Sequence, residues 1–381
     1  MQMNFAFAPE HEDFRKVVRS FAEDVIAPVA QSFDEREEFP VDIVRQMGQM
    51  GLFGLPFPER YGGSDADFIT VCIAVEELAR VDSSIAATLE AGLGLGAMPV
   101  HLFGTEDQKQ RWLAPLARGE SLAAFGLTEP EAGSDSHGLR TRAVLQKREW
   151  VINGTKAFIT NSGTPLTLFA TIAAVTGDGP QISNIIVPNG TPGFTVGGSY
   201  RKIGWRASDT HELIFDDCRV PEENLLGERG AGHRNFLAVL DGGRVAIGAL
   251  AVGLAQGCVD QSVAYAKERK AFGRALAEHQ AVAFKLADMA TQTEHARLGV
   301  YRAAWMKDQG MPFKKEASMA KLFASEVAVT AAREAVQIHG GYGYVSESPV
   351  SRFYRDAKIL EIGEGTSEVQ RMVIARELLR P

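Results

Sequence analysis

Cysteine is scarce: Cys72, Cys218 and Cys258 are the only three in 381 residues. An odd number of well-separated thiols gives no disulfide framework and no zinc pattern, so reduced, packed thiols are expected. Excess positive charge is lacking too. The formal net charge is −8 and the pI near 5.6. That balance argues against a nucleic-acid partner, although local basic patches can still hold phosphate. No uncharged apolar run is long enough for a bilayer span, so no membrane partner is expected. The opening Met1–Ala8 lacks the basic start and long apolar run of a signal peptide. A cytoplasmic location follows, though a processed organellar protein would look the same. The 8 histidines are scattered without metal-ligand spacing, so no metal is expected. What remains, 45% hydrophobic and 23% charged, is an ordinary soluble composition, long enough for two or three compact units.

The hydrophobic period divides the chain into three. Residues 1–120 read as helical. Phe14, Val17, Val18, Phe21 and Val25 form one apolar face, and further helices are expected near 41–50, 69–81, 84–98 and 106–117. Over 121–230 the segments become short, β-branched and alternating. Trp150–Thr160 reads as two strands joined by an Asn153-Gly154 hairpin turn, with further strands at 167–175, 183–188 and 211–216. Over 231–381 long helical patterns return, at about 231–266, 278–309, 315–339 and 366–379. The order helices, strands, helices excludes a doubly wound sheet. The expected class is mainly α with a central β-domain.

Most motifs have a plain reading. Gly92-Leu93-Gly94-Leu95-Gly96 follows a helical segment, not a strand, so it marks close approach of helices or of an apolar ligand, not a dinucleotide loop. Asn153-Gly154-Thr155 and Asn189-Gly190-Thr191 read as turns. Ser134 and Ser208 each neighbour an Asp, but no partner His can be assigned to a hydrolase triad. Leu127–Asp135 is a post-strand loop whose hydroxyls and N–H groups suit a phosphate-bearing ligand, or simply a capped turn. Lys267–Arg274 gathers cations around Phe272, as a solvated helix end or as a grip on phosphate beside a base. Glu364 lies between Gly363 and Gly365, ahead of a helix start at Thr366-Ser367-Glu368. Alone, this is a polar loop with an N-terminal cap. It could also place a carboxylate base beside backbone donors.

Together these pieces resemble the acyl-CoA dehydrogenase family over essentially the whole chain. The resemblance rests on Thr128-Glu129-Pro130-Glu131-Ala132-Gly133-Ser134-Asp135, Phe158-Ile159-Thr160-Asn161, Arg269-Lys270-Ala271-Phe272-Gly273-Arg274, Gln337-Ile338-His339-Gly340-Gly341-Tyr342-Gly343 and Glu364-Gly365-Thr366-Ser367-Glu368, in the family's order. It implies an N-terminal helical domain (1–120), a middle β-barrel-like domain (121–230) and a C-terminal four-helix bundle domain (231–381). It also implies FAD and a homotetramer, a dimer of dimers. Phe125, Leu127 and Thr128 would lie at the flavin, Gly133 and Ser134 near its pyrophosphate. Phe158 would cover one flavin face, where many members have Trp, and Thr160 would approach N5. From a neighbouring subunit Arg269 would grip the pyrophosphate, with Phe272 and Gln280 beside it. Gln337 and Gly341 would meet the adenosine half, and Thr366 the phosphates. Glu368 stands where some relatives have Gln. Ser134, Arg244, Gly363 and Gly365 would border the substrate.

The same resemblance makes Glu364 the base that takes the α-proton of an acyl-CoA thioester. Hydride would pass from Cβ to flavin N5, giving a trans-2-enoyl-CoA, with an electron-transfer flavoprotein as acceptor. Such a base needs a dry site that lifts its pKa, and donors for the developing enolate. Two departures stand out. Some members carry the base one residue before the arginine matching Arg244; here that residue is Gly243. The residue before the base is often Tyr; here it is Gly363, which suggests a short, branched or bulky acyl group. Glu90, on the helix from Thr88 to Met98, would fall near the far end of the acyl pocket. An oxygen-using acyl-CoA oxidase and a non-dehydrogenating flavin scaffold or DNA-protection protein are the alternatives.

Overall fold

The structure is a computed structural model that describes residues 6–177, 179 and 181–380; the opening Met1–Phe5, part of the stretch read against a signal peptide, lies outside them. Helices fill the first third. Asp67 and Asp82 cap the helices Phe68–Ala79 and Ser83–Glu90, accepting from Thr70 N and Ile85 N. The second of these continues through a π-helical stretch, Ala91–Ala97, into Met98–Phe103. The first helix, Pro9–Phe21, also passes into a π-helical turn, Ala22–Ile26. That wider turn carries the buried stripe along Val18, Ala22, Ile26 and Ala30. Val17, assigned to the apolar face on a 3.6 period, instead points outward and is 57% exposed.

The middle of the chain is an eight-stranded sheet. Its strands are β1 Leu122–Gly126, β2 Arg142–Gln146, β3 Glu149–Thr160, β4 Thr167–Val175, β5 Ile182–Pro188, β6 Phe194–Ser199, β7 Thr210–Pro221 and β8 Leu225–Leu226. The order is β6-β7-β3-β2-β4-β5-β8, with β1 parallel to β4. The Asn153-Gly154 hairpin does not exist. β3 runs straight through it, with a register shift against β7 between Ile152 and Gly154. Asn153 exchanges two hydrogen bonds with Asp217 across that irregularity. The turn lies earlier, at Lys147-Arg148, where both residues have positive φ (49° and 69°). Lys-Arg carries none of the usual signal for such a turn.

The last third is a bundle of Gly232–Glu268, Gln280–Asp308, Lys314–His339 and Ser367–Leu378. A further helix, Pro349–Ala357, has no counterpart in the sequence reading. Its buried face includes Arg352 and Asp356 among Val350, Phe353 and Ala357, so charge masks the apolar period. Those charges tie the three parts together. Asp356 accepts from Ser83 Oγ and from Trp205 N, both at 2.7 Å, and Arg352 donates to Val81 O at 2.9 Å. Glu76 adds another tie, accepting from Arg297 Nε at 2.9 Å and Tyr301 OH at 2.7 Å. Ser83–Phe103 and Gly232–Glu268 are by length and composition long and apolar enough to cross a membrane, though neither apolar stretch is free of charge. Both are core helices here, with 72% of each apolar stretch buried inside the fold. All three cysteines are free and buried.

Candidate active site

The Glu364 loop is built by the residues around it. A short 3₁₀ helix, Lys358–Glu361, ends the chain's approach, and Gly363 N donates to Ile359 O at 2.8 Å. Glu364 then takes a left-handed φ of 52°, and Gly365 one of 93°. That φ favours glycine at 365, and a β-carbon there would also meet Gln370 Nε2 at 2.8 Å. Thr366 caps the last helix through Val369 N. Gln370 Nε2 donates to the carbonyls of Glu364 and Gly365, and Lys321 Nζ to Gly365 O at 2.8 Å. A strained loop is thereby clamped from two helices.

Glu364 retains some exposure, but both its carboxylate oxygens are shielded from solvent and bond to no protein donor. Burial pushes its carboxyl up to about 7, against the opposing pull of Glu90, Lys321 and Arg244. Lys321 is itself buried and held down to about 8. Arg244 is buried, donating to Asp241 Oδ1 at 2.6 Å. Gly243 faces the base so closely that a β-carbon there would lie 2.3 Å from Glu364 Oε2.

A cavity of about 480 Å³ adjoins this point. Its apolar wall includes Phe68, Leu93, Met98, Val239, Ala246 and Phe313, and its polar lining includes Glu90, His101, Lys307 and Asp308. Gly243 and Glu90 both line it and both abut Glu364. Glu90 is therefore not at the far end of the pocket: it meets the base. A carboxylate beside an apolar cavity can take a proton from a weak carbon acid.

On the sheet side, the loop after β1 is braced by a buried pair absent from the sequence candidates. Glu129 accepts from Lys156 Nζ (2.7 Å), Arg140 N (2.6 Å) and Thr141 N (3.0 Å). Lys156 also donates to Leu127 O. A lysine amid the apolar run of β3 was the available signal. Thr128 O accepts from Ala157 N, so Leu127 and Thr128 lie alongside β3. Phe125 packs edge-on against Phe236, with ring centroids 3.9 Å apart. Phe158, φ 59° and 63% exposed, stacks on Tyr200 at 4.7 Å. Thr160 is half-buried, and Gly133 and Ser134 are exposed.

Arg269, Phe272, Gln280, Gln337 and Gly341 form a second group. Arg269 lies 5.7 Å from the centre of the Tyr342 ring, and Phe272 caps a two-stranded hairpin with 97% exposure. Among the described residues no hydrogen bond, ion pair or ring contact joins this group to Phe125–Thr160. Glu368 is exposed at the start of the last helix. The residues present fit a flavin dinucleotide. An uncovered aromatic platform stands beside threonine hydroxyls, and Arg269 has no carboxylate partner among the described residues.

Known proteins supply the context. Family models match in three consecutive parts: the acyl-CoA dehydrogenase N-terminal domain at 8–120, the middle domain at 124–218 and the C-terminal domain at 230–379. The Bacillus subtilis protein named "Probable acyl-CoA dehydrogenase YngJ" is 52% identical, covering 99% of this chain and 100% of the relative. A short-chain specific acyl-CoA dehydrogenase of Clostridium acetobutylicum is 46% identical over 99% and 100%. Among solved structures, a chain from work on the electron transferring flavoprotein of Acidaminococcus fermentans superposes with a TM-score of 0.97 at 43% identity, covering 100% of both chains. The butyryl-CoA dehydrogenase of Megasphaera elsdenii gives 0.96 at 43%, over 99% and 100%. An acyl-CoA dehydrogenase of Bacillus anthracis complexed with FAD gives 0.95 at 35%, over 100% of this chain and 68% of the other. Matched along its length in all three parts, the chain belongs to the acyl-CoA dehydrogenase family and is an FAD-dependent oxidoreductase.

Proposed function

We propose that this protein dehydrogenates a short acyl-CoA thioester, branched or bulky near the carbonyl, to the trans-2-enoyl-CoA, with Glu364 removing the α-proton. The observation that carries the reading is a solvent-shielded carboxylate reached by no N–H or hydroxyl donor among the described residues, set against Gly243 beside an apolar cavity. Such a group is poised near neutral pH and has an oxygen free to accept a proton. FAD, when bound, supplies the hydride acceptor. This chain's own residues hold the loop, exclude water and receive the proton. The short-chain and butyryl-CoA relatives support a short acyl group. Space at Gly363 supports a branch: a β-carbon there would meet only Ile359 O, at 3.5 Å.

The outward-facing Arg269 and Phe272 support completion of the flavin site by a second subunit, within a homotetramer in the cytoplasm. The Acidaminococcus neighbour supports an electron-transfer flavoprotein as acceptor. Anaerobic titration of the yellow protein with linear and branched acyl-CoA thioesters tests the reading. Flavin bleaching strongest with short branched esters is expected; bleaching by none of them would defeat it.

A further inference from the structure

Glu90 is the last residue of the α-helical stretch Ser83–Glu90, where the chain enters its π-helical turn. It is 3% exposed. Its Oε1 has no conventional donor, and neither oxygen of Glu364 has one. The two side chains lie within hydrogen-bonding reach of one another. Two carboxylates cannot use that contact; a carboxylic acid and a carboxylate can. The glycines around them keep the space open. A β-carbon on Gly94 would lie 2.9 Å from Glu90 Oε1, as one on Gly243 would crowd Glu364 Oε2.

Neither nearby cation hydrogen-bonds to the pair. Lys321, from Lys314–His339, donates to Gly365 O, and Arg244, from Gly232–Glu268, donates to Asp241. The other charged or titratable groups around the pair are Glu361 and Glu368 on the Glu364 side, and His101, Lys307 and Asp308 along the cavity wall. None of them hydrogen-bonds to either carboxyl among the described residues. In a dry site, two acids in contact hold one proton between them far more readily than none.

We propose that Glu90 is a positioning residue for the base, holding the shared proton as a carboxylic acid and donating it in a hydrogen bond to the Glu364 carboxylate. This rests on the reading of Glu364 as the α-proton base. The bond fixes one oxygen of Glu364 and leaves the other for substrate. It also opposes the burial that would otherwise protonate the base at neutral pH. Burial and the Glu364 charge both push the Glu90 carboxyl well above the usual range, so the proton belongs on Glu90. Nothing is transferred by Glu90. Its proton stays in place, and Glu364 gains the substrate α-proton and ends neutral.

The test uses FAD-loaded Glu90→Gln, Glu90→Leu and Glu364→Gln proteins. Anaerobic stopped-flow gives the pH profile of flavin reduction by butyryl-CoA, and infrared difference spectra of parent minus Glu90→Gln at pH 9, where Glu364 is ionised, report the Glu90 part of the protonated-carboxyl band. Glu90→Gln still offers an N–H donor, so its acid limb should stay near that of the parent while the carboxyl band loses its Glu90 component. Glu90→Leu removes the donor. Its acid limb should move up by about one pH unit, roughly a tenfold loss below the limb with recovery above it. A uniform loss at all pH values in Glu90→Leu would mark a merely structural role and overturn the proposal. No protonated-carboxyl band in the parent-minus-Glu90→Gln difference would overturn it too, even if the leucine variant fails to fold. Glu364→Gln reports on the base separately: flavin reduction persisting there removes the base itself, whereas an unmoved Glu90→Leu profile removes only the pair.

Discussion

A β-carbon on Gly243 would stand 2.3 Å from Glu364 Oε2, so one volume cannot hold both a side chain at 243 and the carboxylate of 364. The long helix leaves room for the base by carrying nothing there. Gly243→Ala tests the relationship. The atom in the way is the tip of a flexible side chain, so Glu364 should swing aside at little cost to the fold. Misplacing a reacting group by about 1 Å can cost roughly 10²-fold. The expected result is unchanged melting and FAD content, with anaerobic flavin reduction slowed by about that factor.

Glu364→Gln keeps the size of the side chain and removes its basicity. FAD content and melting temperature should match the parent, while α-proton abstraction falls by at least about 10²–10⁴-fold. In the parent, burial lifts the carboxyl to about 7. Only the ionised form can accept a proton, so flavin reduction should rise as pH increases through that value and flatten above it. A rate that is level from pH 5 to 9 would mean a different base.

How much of this was legible in the sequence differs by scale. The three-part order could be read because a period of 3.6 gives way to alternation and returns. The helix Pro349–Ala357 could not, because its buried face contains Arg352 and Asp356. The hairpin was misplaced because Asn-Gly advertises a turn, whereas Lys147-Arg148 takes the left-handed angles without advertising them. Glu364 stood out only with four other motifs in order around it. Glu90 was visible as a charge in an apolar helix, but its direction depends on the π-helical turn that follows it.

Lys156 is buried and held down to about 8 by desolvation, with Glu129 opposing that shift. Lys156→Met should leave Glu129 buried with two backbone donors and no counter-charge. Breaking one side of a buried pair costs about 3–5 kcal/mol. The expected outcome is a lower melting temperature and weaker FAD retention, because the braced loop carries Leu127 and Thr128. Adding Glu129→Gln should restore part of the stability; no recovery in that double variant would show that the pair is not what holds the loop.

Arg269→Ala addresses the outward group. A hydrogen bond to a charged partner contributes about 1.5–3 kcal/mol, roughly tenfold to a hundredfold in affinity. FAD should dissociate more readily by that factor, read by flavin fluorescence on dilution. Among the described residues Arg269 has a ring contact with Tyr342 and no ion pair or side-chain hydrogen bond, so the isolated fold has little to lose. Melting of the FAD-free protein should therefore stay close to the parent value.

Gly363→Tyr asks what the missing side chain allows. Gly363 sits outside the left-handed region and a β-carbon there would meet only Ile359 O at 3.5 Å, so the backbone accepts a larger residue. A phenol ring has to occupy space beside Glu364, because the chain on either side is fixed by Ile359 O and by the Gln370 and Lys321 contacts. Filling a pocket by a few carbon atoms changes discrimination by roughly 10–200-fold. If Gly363 leaves room for a branch, the variant should lose branched short acyl-CoA by such a factor in kcat/KM while keeping butyryl-CoA. Equal losses for both esters would place the ring against the base instead of against the branch, and the preference for branched substrates would then have to come from the cavity wall formed by Leu93, Met98 and Val239.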